Sequence, residues 1–356
     1  MRIAQISPLT EAVPPKLYGG TERVISWLTD ELVAQGHDVS LFASGDSVTT
    51  ARLEPMWPRA LRLDGSVRDP NALHMSMIEQ VCRRAHEFDI LHFHLDYYPF
   101  SLMSRQDVPF VTTLHGRLDL PEHQPMFETF SEVPVVSISN SQRRPIHRAN
   151  WAGTVHHGLP RNLLVPQNKT PSYLAFLGRI SPEKRVDRAV RIAERCGLPL
   201  KVAAKVDQVD TDYFNDEIRD LLNKPHVDFI GEISDAQKSE FLSGAIALIV
   251  PIDWPEPFGL VMIEAMACGT PVIAYNRGSV PEVIEDGVTG FVVEDETSAV
   301  GALRNISRLP RAQIRQRFED RFSSSRMARD YLDIYRDIAG LNSGSVETLK
   351  PRLVAG

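Results

Sequence analysis

The chain opens on a short apolar run, "RIAQIS", passes into an amphipathic stretch, "TERVISWLTDELVAQGH", and returns to a second run, "DVSLFAS". The alternation continues through a helix around Met75 to His86 and the runs "DILHFH", "PFVTTLH" and "VPVVSIS". Short strands buried on both faces, interleaved with helices of 3.6-residue period, predict βαβ units and a parallel sheet covered on both sides. The pattern stops at "LPRNLLVPQNKTPS", Leu159 to Ser172, which has no period and reads as a linker. It starts afresh with "YLAFLGR", "EKRVDRAVRIAERCG", "LPLKVAAKV", "TDYFNDEIRDLL", "VDFIGEI", "ALIVPI", "PVIAY" and "GFVVE". The fold class is therefore α/β, with two doubly wound parallel-sheet (Rossmann-like) domains facing across a cleft. Such sheets bind ligands at the carboxyl ends of their strands, so the cleft is the expected site. "RFSSSRMARDYLDIYRDI" is a further helix, and residues 341–356 read as a loose tail.

One segment of the second half breaks the ordinary pattern. "EPFGLVMIEAMACGTPVIA" is apolar nearly throughout, with one carboxylate inside it, Glu264, and one at its mouth, Glu256. Pro257 suits a helix start and Gly269 a stop, which predicts about three turns from Pro257 to Cys268. Glu264 then either rides an exposed ridge into water or points into an enclosed space. An enclosed carboxylate needs a donor or a cation, which this stretch does not supply but a hydroxyl-bearing ligand would.

Two parallel-sheet domains make a dinucleotide dehydrogenase the first competitor, yet no G-x-G-x-x-G follows either opening strand, and no Walker-type loop occurs. After "YLAFLGR" stand Arg179, at a strand end, and Lys184, in the expected first turn of a helix opened by Ser181 and Pro182. A cation there opposes the macrodipole unless Glu183 neutralises it or a bound phosphate reverses the sign. Arg179, Lys184 and the N–H groups of Phe258, Gly259 and Leu260 would together hold a diphosphate. Glu264, about 6 Å further up the helix axis, could accept ribose hydroxyls, and Glu256 those of a sugar on the other side. The expected ligand is a nucleoside diphosphate sugar.

Glu256 and Glu264 with seven residues between them, "GSVPEVIEDGVTGFVV" beyond them and "FLGRISPEKRVD" before resemble the family-4 glycosyltransferases of the GT-B fold, which are retaining enzymes. "YGGTERVISWLTDELVAQGHDVSLFAS", "TLHG" and "SISNSQR" match that family more loosely. The resemblance implies that Arg179 and Lys184 grip the donor diphosphate, Glu264 the ribose and Glu256 the transferred sugar. It also implies that Gly19 and Gly20 let the first domain approach the phosphates and that His115 sits by the sugar. It puts the last helix back on the first domain. The expected domains are thus 1–160 plus 322–340 on the acceptor side and 161–321 for the nucleotide sugar. Two places depart from the family pattern: Ala203, Ala204 and Lys205 replace a glycine-rich turn, and Asp253 and Trp254 stand before Pro255.

The reading is a hexosyl-type transferase using a UDP-sugar in preference to GDP or ADP donors, with no cofactor, no metal and an unidentified acceptor. A nucleotide-sugar epimerase and a non-catalytic sugar-nucleotide-binding protein remain open. Composition narrows the partners: 356 residues with a formal net charge of −7 give no global field for nucleic acid or anionic lipid. "SQRRPIHRANW" and "RLEPMWPRALR" could touch a membrane surface or an anionic acceptor, but solvated charge is the favoured explanation. The opening strand does not read as a signal peptide, and three widely spaced cysteines suit reduced thiols, so a cytoplasmic location is expected. "DTD", Asp210 to Asp212, reads as a helix start and not a metal site. His92 and His94 share one strand face and read as packing or acceptor contacts.

Overall fold

The computed structural model describes residues 1–16 and 19–341, so the expected tail lies outside the described residues apart from Leu341. The first sheet has seven parallel strands: β1 (Arg2–Ile6), β2 (Asp38–Ser44), β3 (Arg52–Trp57), β4 (Ile90–Phe93), β5 (Phe110–Thr113), β6 (Pro134–Ser137) and β7 (Asn150–Thr154). Their spatial order is β3-β2-β1-β4-β5-β6-β7. The second sheet has six: β8 (Tyr173–Arg179), β9 (Leu200–Lys205), β10 (Val227–Gly231), β11 (Ala245–Val250), β12 (Val272–Tyr275) and β13 (Gly290–Val293), ordered β10-β9-β8-β11-β12-β13. In each sheet the order reverses beside its first strand, between β1 and β4 and between β8 and β11. Those two reversals are the crevices where doubly wound sheets take ligands.

Period-two alternation explains why both faces of the first sheet are covered. Ile3, Ile90, Val111 and Val136 pack on one side, and Ala4, Leu91, Phe110 and Val135 on the other. The Ile3 face is closed by the Gly20–Ala34 helix together with the last helix, Ser324–Ile338, which pack against each other. Tyr331 and Tyr335 of that last helix are fully buried and hydrogen-bond into the first sheet through Thr113 and His92. Among the described residues the chain therefore crosses between the sheets twice, and the crossings are pinned together. Leu159 N–H donates to Phe322 O (2.9 Å) and Ser324 N–H to Leu159 O (3.0 Å).

Three local expectations need correction. "RLEPMWPRALR" and "SQRRPIHRANW", read as basic and aromatic surface, contain β3 and the start of β7, the two edge strands of the first sheet. Edge strands are half exposed and tolerate proline, here Pro55, so their apolar period is faint. The helix around Met75 runs from Pro70 to Arg83, because Asp69 accepts from the N–H groups of Asn71 and Ala72 and proline fits the first helical position. The helix Asp235–Ser243 was not expected at all, although Ser234 and Gln237 form a capping box that announces it.

The two sheets also touch across the cleft. Arg23 pairs with Asp235, and Glu282 accepts from the backbone N–H groups of Asn140 (2.7 Å) and Ser141 (2.6 Å). Among the described residues no helix is long and apolar enough to cross a membrane.

Candidate functional site

All ten residues singled out from the sequence, Gly19, Gly20, His115, Arg179, Lys184, Glu256, Phe258, Gly259, Leu260 and Glu264, line one cavity of about 410 Å³. The second domain supplies the floor at its β8/β11 reversal, and the first domain supplies Gly19 to Thr21, Arg23 and His115 as the roof. The cavity gathers five cations, Arg23, Arg179, Lys184, Lys205 and Lys238, against three carboxylates, Glu232, Glu256 and Glu264.

Arg179 and Lys184 each already have an acidic partner. Arg179, at the end of β8, lies 3.0 Å from Glu183, 3.5 Å from Asp207 and 3.6 Å from Asp210. Asp210 of "DTD" thus faces an arginine, and the residue caps no helix with its side chain. Among the described residues no group of three or more His, Cys, Asp or Glu converges as metal ligands would. Lys184 does not sit in a helix's first turn. The helix begins at Val186, because Arg185 adopts a left-handed conformation (φ 55°) held by Asp187 at 2.8 Å and Asp253 at 3.1 Å. Lys184 lies in the preceding turn and pairs with Glu256.

The helix carrying Glu264 is also shorter than expected, spanning Leu260–Ala267. Gly259 takes a left-handed conformation (φ 83°), which glycine adopts without strain and which interrupts the helix before it can include Pro257. The amides at the helix start are therefore those of Leu260 and Val261, and Phe258 is a packing residue. Its ring, 2% exposed, meets His157 at 4.9 Å and Phe322 at 6.1 Å. Gly20 is close to that helix start: a side chain on it would stand 3.7 Å from Leu260. Gly19 has a different reason for being glycine, since a Cβ there would meet Pro15 at 2.9 Å.

Glu264 is enclosed, at 4% exposed, and so the ridge alternative fails. Its partner is Lys238 Nζ at 2.7 Å, from the unexpected Asp235–Ser243 helix. Glu256, 9% exposed, accepts from Lys184 and from Trp254 Nε1 (2.9 Å), while Lys184 also lies 5.1 Å over the Trp254 ring. Asp253 and Trp254, the two departures from the family pattern, thus brace Arg185 and the Lys184–Glu256 pair. Gly278 (φ 57°) leaves no room for a side chain against the Glu256 backbone, and Ser279 N–H donates to Glu256 O at 2.9 Å.

The first domain contributes a directional chain of hydrogen bonds. Gln5 Nε2 donates to the Tyr335 hydroxyl (3.1 Å), so Gln5 Oε1 accepts from His94 Nε2–H (2.8 Å). His94 Nδ1 must then accept from His115 Nε2–H (2.9 Å), which leaves His115 Nδ1 unprotonated. That nitrogen is buried without a partner among the described residues and belongs to a ring lining the cavity. His157 stacks on His115 at 5.4 Å. The tautomer makes His115 Nδ1 an acceptor for a ligand hydroxyl.

Burial pushes the His115 pKa down to about 3 and holds His92, His94 and His157 well below the usual histidine range. A base whose folded-state pKa is depressed binds protons in the unfolded chain first, between its folded value and about 6.5. Stability contributed by keeping these rings neutral is therefore present above about pH 6.5 and lost as pH falls below it. Urea unfolding followed at several pH values should show a midpoint flat between pH 7 and 8 and falling steadily from pH 6.5 to 5. A midpoint unchanged at pH 5 would mean that the histidines titrate in the folded state.

Residues 18–184 match the family described as Glycosyltransferase Family 4, and residues 165–321 match the family described as Glycosyl transferases group 1. An α-maltose-1-phosphate synthase of Mycobacterium tuberculosis is 29% identical over 244 residues, covering 57% of this chain and 63% of that protein's length. In structure, AviGT4, a glycosyltransferase involved in avilamycin A biosynthesis, superposes with a TM-score of 0.74 at 21% identity, over 95% of this chain and 98% of its own. Anabaena Alr3699/HepE, solved in complex with UDP and glucose, gives 0.71 at 17% identity over 95% and 100%.

Proposed function

The chain belongs to the family-4 glycosyltransferases of GT-B fold, and on that premise we propose that it transfers a sugar, with retention and without a metal, from a UDP-sugar to an acceptor hydroxyl. The observation that carries this reading is the cavity in which Arg179, Lys184, Lys205, Lys238 and the Leu260 helix start from one side meet Arg23 and His115 from the other. Cationic side chains and amide N–H groups suit a diphosphate, and the enclosed Glu264 suits ribose hydroxyls. UDP is preferred because the HepE structure was solved with UDP and glucose.

In this reading the bond from the anomeric carbon to the diphosphate oxygen breaks while the acceptor oxygen bonds to that carbon from the same face. The acceptor proton passes to the leaving phosphate oxygen. Arg179, Lys184 and the amides of Leu260 and Val261 stabilise charge growing on the leaving group, which is where preorganised donors act most strongly. The Lys184–Glu256 pair loosens as phosphate replaces the carboxylate at the lysine, and Glu256 then accepts from the sugar. His115 Nδ1 accepts from a sugar hydroxyl.

The test is to incubate the protein with UDP-, GDP- and ADP-sugars and a cell extract, with and without exhaustive chelation, and to follow products by mass spectrometry and anomeric NMR. A retained anomeric configuration with unchanged rate under chelation is expected. Product from donor alone would favour an epimerase, and binding without any turnover a sensor. His115→Ala should keep UDP affinity within about threefold while transfer falls about tenfold, the effect of one lost hydrogen bond to the sugar. Equal losses in binding and transfer would move His115 away from the sugar.

A further inference from the structure

A second cavity of about 520 Å³ opens at the other reversal, between β1 and β4 of the first sheet. Gly19 to Thr21, His115 and Gly116 line both cavities, so the two meet at the ring whose Nδ1 has no partner among the described residues. Their chemistry is opposite. Among the described lining residues the second cavity holds three carboxylates, Glu11, Glu22 and Asp96, against one cation, Arg62, which already lies 3.0 Å from Glu11. Glu11 is 1% exposed, and among the described residues neither of its carboxylate oxygens receives a hydrogen bond. Burial raises the pKa of Glu11, Glu22 and Asp96, the cost of taking carboxylates out of water.

The rim carries aromatic faces. Tyr98, which lines the cavity, stacks on Tyr97 (5.8 Å, 11°) and on His74 (6.1 Å, 28°), and both tyrosines are exposed, at 39% and 45%. Exposed stacked rings beside buried acceptors are the combination that a pyranose satisfies, its C–H face on the ring and its hydroxyls on the carboxylates.

We infer that this second cavity, on the domain expected to take the acceptor, receives a neutral saccharide and not a phosphorylated or otherwise anionic acceptor. The inference rests on the first cavity being the donor site. An acceptor phosphate would enter a space with three carboxylates whose arginine is already engaged. A saccharide hydroxyl instead donates to Glu11 or Asp96 while another of its hydroxyls reaches the junction at His115.

The experiment uses the full chain with saturating UDP to fill the cationic cavity. Saturation-transfer NMR and calorimetry compare methyl α-glucoside, methyl α-mannoside and maltose with glucose 1-phosphate and mannose 6-phosphate. At least one neutral sugar should bind, with the phosphorylated sugars about tenfold or more weaker at pH 7.5. Tyr98→Ala should weaken the neutral sugar about tenfold and leave the UDP Kd within about twofold. Asp96→Asn should narrow the discrimination against the phosphorylated sugars, and asparagine tolerates the left-handed backbone found there (φ 47°). Tighter binding of a phosphorylated sugar, no binding of any neutral sugar, or neutral-sugar binding unaffected by Tyr98→Ala would overturn the inference. Failure of UDP to bind while neutral sugars still do would remove the donor assignment and leave this cavity a saccharide site.

Discussion

Arg179→Ala is expected to lower kcat by about 10² to 10³ while raising the Kd for UDP far less. Charge on the leaving diphosphate grows between ground and transition state, so a donor aimed at it contributes more to turnover than to binding. Arg179 is well suited to that role because its guanidinium is fixed before any ligand arrives, by Glu183 on one side and by Asp207 and Asp210 on the other. Those carboxylates reduce its net field but hold its fork, and a preorganised donor needs no reordering during the reaction. Arg179→Lys should restore little, because a flexible point charge cannot keep contacts with three carboxylates and a phosphate oxygen. Steady-state kinetics beside calorimetric UDP titration separate the two quantities. Equal fractional losses in kcat/KM and UDP affinity would reduce Arg179 to ground-state binding.

The second large effect concerns stability. Replacing Glu264 by Ala should destabilise the fold by about 3 kcal/mol, the lower end of what breaking a buried ion pair costs. Its partner Lys238 has only 11% of its side chain exposed, and burial alone would lower the lysine pKa; Glu264 and Asp235 outweigh that and raise it. Without Glu264 the ammonium keeps Asp235 at 3.1 Å, itself shared with Arg23 across the cleft, which is why the loss should not reach the full range. Lys238→Met combined with Glu264→Gln should recover most of the stability, since removing both charges leaves no uncompensated ion. Urea denaturation of the two single variants and the double variant measures the coupling. A loss below about 0.5 kcal/mol for Glu264→Ala would show that Lys238 escapes to water. Lys238 lines the same cavity, so the nucleotide role is read by comparing the double variant with Lys238→Met alone: if Glu264 binds ribose, UDP affinity is lower in the double variant although its stability is higher.

Much of the molecule was legible from local pattern. The buried strands of both sheets, and the choice of Arg179, Lys184, Glu256 and Glu264 as the charges to watch, follow from period, from proline and glycine placement and from charges set in apolar surroundings. These signals survive because each depends on neighbours within a few residues. The element starts were less secure, because a single left-handed residue decides them. Gly259 delays one helix and Arg185 another, and only the second is invisible in residue type, being imposed on an arginine by Asp187 and Asp253.

What tertiary structure alone decided are the pairings between distant segments. Nothing near Glu264 announces Lys238, 26 residues earlier, and nothing near Glu256 announces Lys184, 72 residues away. The edge strands β3 and β7 became strands because a neighbour was there to pair with, not because their apolar period was strong. The contrast between a cation-rich cavity and an acid-rich one likewise exists only once the two sheet reversals are brought face to face. Sequence periodicity specifies which side of an element is buried; which charge it meets there depends on the packing of elements far apart in the chain, and that packing set the chemistry of this cleft.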